Sequence, residues 1–342
     1  MTPDFFSRPH RLPRVFAALV LLATCIGQAQ GAGGKHLVFA GPPSAASNPI
    51  IRMLDSGALD DLVDERTFIP WSNPDQLRAL VTQNKVDFIA LPTNVAANLY
   101  NRGAPLTLLN VSTWGALWMV SRKPGMKTLA DFRGEEIAIP FRADMPDIVF
   151  GVLAERQGLD PHKDFRLRYT ASPMDAAQLL MMRQVDHALL AEPAVSMVLR
   201  KTGSFPMSLV APELFRSVDL QAQWVDAPGR EARIPQAGLA VLGAARDDVR
   251  LLERIESAYA EAADWCAKNP GPCGQMVAQR MDMLSPEAVA DSIRAQSSYH
   301  ASARQAREEL EVFFELLLRR QPATVGGKLP DSGFYGGAQG PQ

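Results

Sequence analysis

Side chains able to grip a small molecule recur at a few places in this 342-residue chain: Ser44 and Ser47, Trp71 with Ser72 and Asn73, Thr93 with Asn94, Thr113 with Trp114, Arg142 with Asp144, and Glu192. Hydroxyl and amide groups either bind a polar ligand or cap the helix that follows them, and Ser72–Asn73 and Thr93–Asn94 fit both roles. Trp71 and Trp114 can sandwich a planar or cationic group by stacking or cation–π contact, or pack into the core. Trp224 is a weaker third aromatic candidate, and Trp118 reads as core. Arg142 can clamp an acidic ligand through its planar fork, or pair with Asp144 or Asp147. Asp144 can instead receive an amine. Glu192, before Pro193, is a ligand contact or a helix-start carboxylate favoured by the helix dipole.

This is the chemistry of binding. Gly-x-Ser-x-Gly, His-Glu-x-x-His and Gly-x-x-x-x-Gly-Lys are all absent, so no catalytic residue is assigned and an enzyme is not expected. His36, His162 and His300 read as exposed and His187 as a packed strand histidine. No cofactor and no metal site is implied.

The elements that must position these residues come in a repeated unit. Asn73 to Pro92 recurs as Ser172 to Ala191: a cap, a proline at N1, one amphipathic helix, then Val-Asp and a short apolar strand. Two copies of one α/β unit predict two similar lobes with a ligand cleft between them. Apolar runs at 37–40, 67–69, 88–91, 106–111, 114–121, 137–139, 165–169, 188–190 and 237–242 read as strands. Their alternation with helices argues for an α/β fold with mainly parallel sheets. In such sheets ligands gather beyond the carboxyl ends of the strands, where the residues named above lie. Helix N-termini there also offer free N–H donors to an anion. The stretches 114–121 and 221–236 read as two crossings between lobes. Helices are predicted over 247–268, 272–283, 286–296 and 301–320, and the Gly/Pro-rich residues 322–342 read as a flexible tail.

Residues 1–31 read as a signal peptide: Arg8, Arg11 and Arg14, an apolar run over 15–26, then small residues before Ala32. That run is short of the roughly 20 residues a membrane span needs. A retained anchor, or lipidation at Cys25, is the alternative. The net charge is −2 with no basic run, which disfavours nucleic acid and anionic membrane as partners. In an exported chain, Cys266 and Cys273 across a Pro/Gly turn read as a disulfide; two free thiols or a metal pair are the alternatives.

Four segments in order carry a resemblance: Val86-Asp87-Phe88-Ile89-Ala90-Leu91-Pro92, the stretch from Tyr100 to Pro105, Thr128-Leu129-Ala130-Asp131-Phe132-Arg133-Gly134, and the stretch from Val185 to Pro193. Together they resemble the substrate-binding proteins of ABC importers in the nitrate/sulfonate/taurine group, related to the binders of thiamine-pyrimidine precursors. The resemblance covers residues 36 to 300. It implies a type II periplasmic-binding-protein fold, two α/β lobes joined by two hinge crossings, with a helical C-terminal segment. Lobe 1 would be 32–115 plus 236–321, and lobe 2, with the crossings, 116–235. It further implies a monomeric periplasmic receptor that passes a small-molecule solute to ABC permease subunits. A periplasmic sensor or accessory protein on the same fold is the alternative. The cysteine-rich motif of the related pyrimidine synthases is missing. The loop Pro140 to Asp147 also departs from the small Gly/Ser turn expected there, which argues against a simple oxyanion and for an organic solute with a planar part.

Overall fold

The computed structural model describes residues 35–204, 213–224, 233–297 and 299–337. The expected signal peptide with Cys25, the middle of the return crossing and residues 338–342 lie outside them.

Two sheets are built alike. In the first, β1 (His36–Gly41) pairs in parallel with β2 (Glu65–Pro70) and β3 (Phe88–Pro92), each strand leading into a helix: α1 (Asn48–Asp55), α2 (Pro74–Thr82) and α3 (Thr93–Asn101). The order β2-β1-β3 continues through β12 (Pro235–Leu242), antiparallel to both β3 and β4 (Leu106–Leu108). The second sheet has β8 (Glu136–Pro140) between β9 (Arg166–Thr170) and β10 (His187–Ala191), all parallel. There β7 (Leu117–Ser121) runs antiparallel to β10 and to β11 (Phe215–Asp219). Its helices are α4 (Met145–Arg156), α5 (Pro173–Met181) and α6 (Ala194–Gly203). Sheets that were expected to be mainly parallel thus each carry a reversed strand. These strands, β12 and β7, are the ones that follow the crossings, so each passage from one lobe to the other ends on a strand that runs against the βα units it joins.

Period-2 alternation explains the strands, because both sheet faces are buried. In β1, β3 and β12, Leu37, Phe39, Phe88, Ala90, Leu239 and Val241 pack on one side, and Ala40, Ile89, Leu91, Ala240 and Leu242 on the other. Phe39 and Phe88 stack at 5.0 Å across adjacent strands. In the second sheet His187 is buried, 3.0 Å from the Ser121 hydroxyl, as expected for a packed histidine.

The repeated unit recurs in three dimensions down to its caps. Asn73 accepts the N–H groups of Asp75 and Gln76 at 3.1 and 3.0 Å, and Ser172 accepts that of Asp175 at 3.1 Å. After α2 the Lys85 N–H donates to the Leu80 carbonyl, and after α5 the Gln184 N–H donates to that of Leu179. Between them Asn84 and Arg183 take left-handed φ values of 50° and 59°, so both helices end in the same turn.

Two expected strands are broken. The run 106–111 divides because the Asn110 side chain accepts the Leu239 N–H at 3.1 Å, and β5 (Asn110–Val111) pairs instead with β13 (Ala301–Ser302). The run 114–121 divides at Gly115, φ +54°, between β6 (Thr113–Trp114) and β7. A Cβ on Gly115 would meet the Gln221 side chain. Here the crossings hold one another: the Gln236 amide oxygen accepts the Ala116 N–H at 2.8 Å, and that of Gln221 accepts the Ile234 N–H at 2.9 Å.

The C-terminal helices are α7 (Val249–Lys268), α8 (Pro270–Arg280), α9 (Pro286–Ala295) and α10 (Arg307–Arg320). The last begins later than expected, because residues 301–302 form β13. A disulfide joins Cys266 to Cys273, with a Cα–Cα distance of 5.2 Å. Replacing both cysteines with serine is expected to cost about 2–3 kcal/mol, the loop-closure value for so short a loop. It would be read as a lower urea midpoint.

The flexible tail expected from composition is corrected over residues 322–337. Val325, Phe334 and Tyr335 are buried, Phe334 meets Phe314 edge to face, and Asn101 donates to the carbonyls of Val325 and Lys328. The glycines there serve close packing and turns; Gly326 is left-handed and lies against Asn98 and Asn101.

Candidate functional site

A cavity of about 350 Å³ lies between the sheets, at the carboxyl ends of equivalent strands. From the first sheet it takes Ser44 after β1, Trp71 and Ser72 after β2, and Leu91, Pro92 and Val95 around the end of β3. From the second it takes Phe141, Asp144 and Met145 after β8, Met174 after β9, and Ala191 and Glu192 after β10. Gln236 and Ala237 of the return crossing form one margin, and Met283 and Leu284, between α8 and α9, another.

The walls are mostly apolar, and their described ionisable side chains are Asp144 and Glu192. Asp144 begins α4 and is 9% exposed. Burial pushes its carboxyl above the usual aspartate range, against the Met145 N–H, the charge of Arg78 and the Asn94 side chain that hydrogen-bonds to it. The Asn94 contact reaches from α3 of one lobe to α4 of the other. Glu192 is 1% exposed, accepts the Ser196 N–H at 3.1 Å and pairs with Arg216 at 2.5 Å. Burial raises its pKa too, more than Arg216 lowers it.

The residues selected from sequence divide three ways. Ser44, Trp71, Ser72, Asp144 and Glu192 line the cavity. Trp71 is held by donating its indole N–H to the Ala90 carbonyl at 3.2 Å, which fixes its ring at the wall. Asn94 lies behind Asp144, as described. The rest are used by the scaffold. Ser47 donates to the Pro42 carbonyl, Asn73 caps α2, and Thr93 donates to the Pro235 carbonyl at the crossing. Thr113 is buried in β6. Trp114 turns back to donate to the Val111 carbonyl and packs on Tyr299 at 5.4 Å, beside Arg233. Arg142 is exposed over the Tyr169 ring at 5.4 Å and ion-pairs with neither Asp144 nor Asp147. Asp147 instead accepts the Ala143 N–H and the Tyr169 hydroxyl. Trp224 is packed on Phe313.

Phe141, Met145, Met174, Met283 and Leu284 were not singled out individually. Phe141 and Met145 lie in a loop that the strand-end rule selects, with Phe141 and Ala143 in left-handed backbone at φ 61° and 59°. Met283 and Leu284 carry no local signal; the fold of α8 on α9 brings them to the rim.

No protein-family model matches this chain, and no curated protein matches it either. Solved structures do. An ABC transporter protein from Parabacteroides distasonis superposes with a TM-score of 0.73 at 22% identity, over 89% of this chain and 100% of that one. The periplasmic aliphatic sulphonate binding protein SsuA from Escherichia coli gives 0.64 at 15% identity, over 90% and 95%. The periplasmic nitrate-binding protein NrtA from Synechocystis PCC 6803 gives 0.66 at 12%, over 84% and 82%. At these identities the likeness shows the fold.

Proposed function

We propose that this chain, which has the type II periplasmic-binding-protein fold, is an exported receptor that captures a small organic solute and hands it to the permease of an ABC importer. The observation that carries the reading is the cavity itself. It lies between two lobes of matching topology, takes equivalent strand ends from both, and has a size in the usual small-ligand range of roughly 300–1,000 Å³. Contacts made to both lobes at once would drive closure about the crossings at Gly115–Ala116 and Ile234–Gln236. Import components of the same fold bind solutes for a permease, which supports the same role here. Its chemistry is recognition: the two carboxyls sit far into an apolar pocket with no nucleophile–base pair among the described lining residues.

The test is thermal unfolding of purified protein, refolded to strip carried-over ligand, against oxyanions, sulfonates, pyrimidines, amino acids and amines. A ligand at a hundred times its dissociation constant adds about 2.7 kcal/mol to the folded state. A raised midpoint with one chemical class, saturating at one ligand per chain, is the expected result. No shift with any class would end the receptor reading and favour a partner-binding role.

A further inference from the structure

We infer that the cavity takes an organic ammonium with an apolar body, its N–H groups directed to the Asp144 carboxylate, and that it discriminates against oxyanions. This rests on the receptor reading and names its substrate class.

The first observation is that the cavity lacks the means to hold an anion. No arginine, lysine or histidine is among its described lining residues. Three of the helices that begin around it, α2, α4 and α5, have donors missing or spent in their first turns. Prolines, which have no N–H, stand at Pro74, Pro146 and Pro173 in the first turns of α2, α4 and α5. Several other N–H groups here already have acceptors within the chain. Gln76 takes that of Ser72 at 2.8 Å, Asp147 takes that of Ala143 at 2.8 Å, Asp144 takes that of Met145 at 2.8 Å, and Glu192 takes that of Ser196. A sulfonate or nitrate placed here would lose its water and gain no cationic side chain in return, and burying an unpaired ion is costly.

The second observation is an excess of acceptors. Asn94 is 3% exposed, and its Oδ1 atom has no hydrogen-bond partner among the described residues. Its amide is used on Asp144, so the orphan oxygen and the buried carboxylate belong to one cluster, where α3 of one lobe meets α4 of the other. Buried polar atoms are almost always paired, so this end of the cavity, where Asp144 lines the wall, holds more acceptors than the chain supplies with donors. Burial raises the carboxyl pKa, a cost that a bound cation would offset. The other wall carboxyl, Glu192, is committed to Arg216 and Ser196. Trp71, Phe141 and Met145 provide surface for an apolar body, and the Trp71 face can also meet a cation.

Titration calorimetry tests this with matched probes: 2-phenylethylammonium and n-pentylammonium against 2-phenylethanesulfonate and n-pentanesulfonate, on wild type and Asp144→Asn. The expected result is saturable binding of an ammonium at least tenfold tighter than the sulfonate of the same skeleton. Asp144→Asn should then weaken the ammonium at least tenfold while keeping a wild-type or higher unfolding midpoint. A sulfonate that binds as tightly as its ammonium, or ammonium binding unchanged in Asp144→Asn, would overturn the ligand class and leave the receptor standing. No binding by any probe or by the wider solute panel would overturn both.

Discussion

Gly238→Ala is expected to destabilise the protein by about 3 kcal/mol or more, the upper end of what overpacking costs. Gly238 lies in β12 opposite Leu91, within a strand buried on both faces. A Cβ there would stand 1.8 Å from the Asn110 carbonyl oxygen and 3.1 Å from the Val111 Cα. Both are backbone atoms, and three hydrogen bonds hold that backbone in place. Asn110 accepts the Leu239 N–H through its side chain, the Leu109 N–H donates to the Leu239 carbonyl, and the Ser112 N–H donates to the Ala237 carbonyl. The clash can therefore be relieved only by separating β12 from β5, next to the crossing that bounds the cavity. Urea denaturation measures the loss. Gly271→Ala, in α8 with open space around its Cβ, is the matched control and should be neutral or slightly stabilising. A Gly238→Ala protein with an unchanged midpoint would mean that β5 can move.

The sequence signals that proved readable are local. The caps Asn73 and Ser172, the prolines after them and the Val-Asp strands fix both copies of the βα unit, because a cap and its helix interact within a few residues. What was not readable depends on distant partners. Nothing around residue 110 announces that its side chain will take a ladder position from Leu239, or that Ala301 will pair with Val111. The tail reads as flexible from its glycines and prolines, yet Phe334 finds Phe314 and Tyr100 across the chain. The same division runs through the cavity. The strand-end rule selects the right loops, but not which side chain in each loop faces inward. Trp71 and Trp114 both follow strands and look equivalent. Trp71 faces the cavity because its indole N–H is anchored to Ala90 in β3, two strands away from β2. Trp114 is drawn away by Val111 and by Tyr299, far along the chain. Glu192 is visible as a strand-end carboxylate, while Arg216, its partner, lies on a strand that the hydrophobic pattern does not mark.

That pair supports the second large effect. Arg216→Ala is expected to cost about 3 kcal/mol near neutral pH, as breaking a buried ion pair from one side usually does. The loss should be asymmetric. The Glu192 side chain is 0% exposed and the Arg216 side chain 26%, so an abandoned Arg216 can reach water and an abandoned Glu192 cannot. Glu192→Gln, which keeps a polar group beside the Ser196 N–H and leaves Arg216 partly solvated, should therefore be milder than Arg216→Ala. The double variant should recover part of the Arg216→Ala loss, because it removes the stranded charge. The pH dependence carries a definite sign. Glu192 has a folded-state pKa above its unfolded value. Its contribution to stability is thus fully present below the unfolded carboxylate pKa and is lost as pH rises through the raised folded value. Removing Arg216 takes away an influence that lowers that value, so the loss at neutral pH grows. In acid, near about pH 4, where Glu192 takes up a proton in both states, Arg216→Ala should approach wild type. Denaturant midpoints for the four proteins across that range decide the matter. An Arg216→Ala penalty that stays constant with pH would assign the loss to packing on Trp118, whose ring lies 5.5 Å from the guanidinium, instead of to the stranded carboxylate.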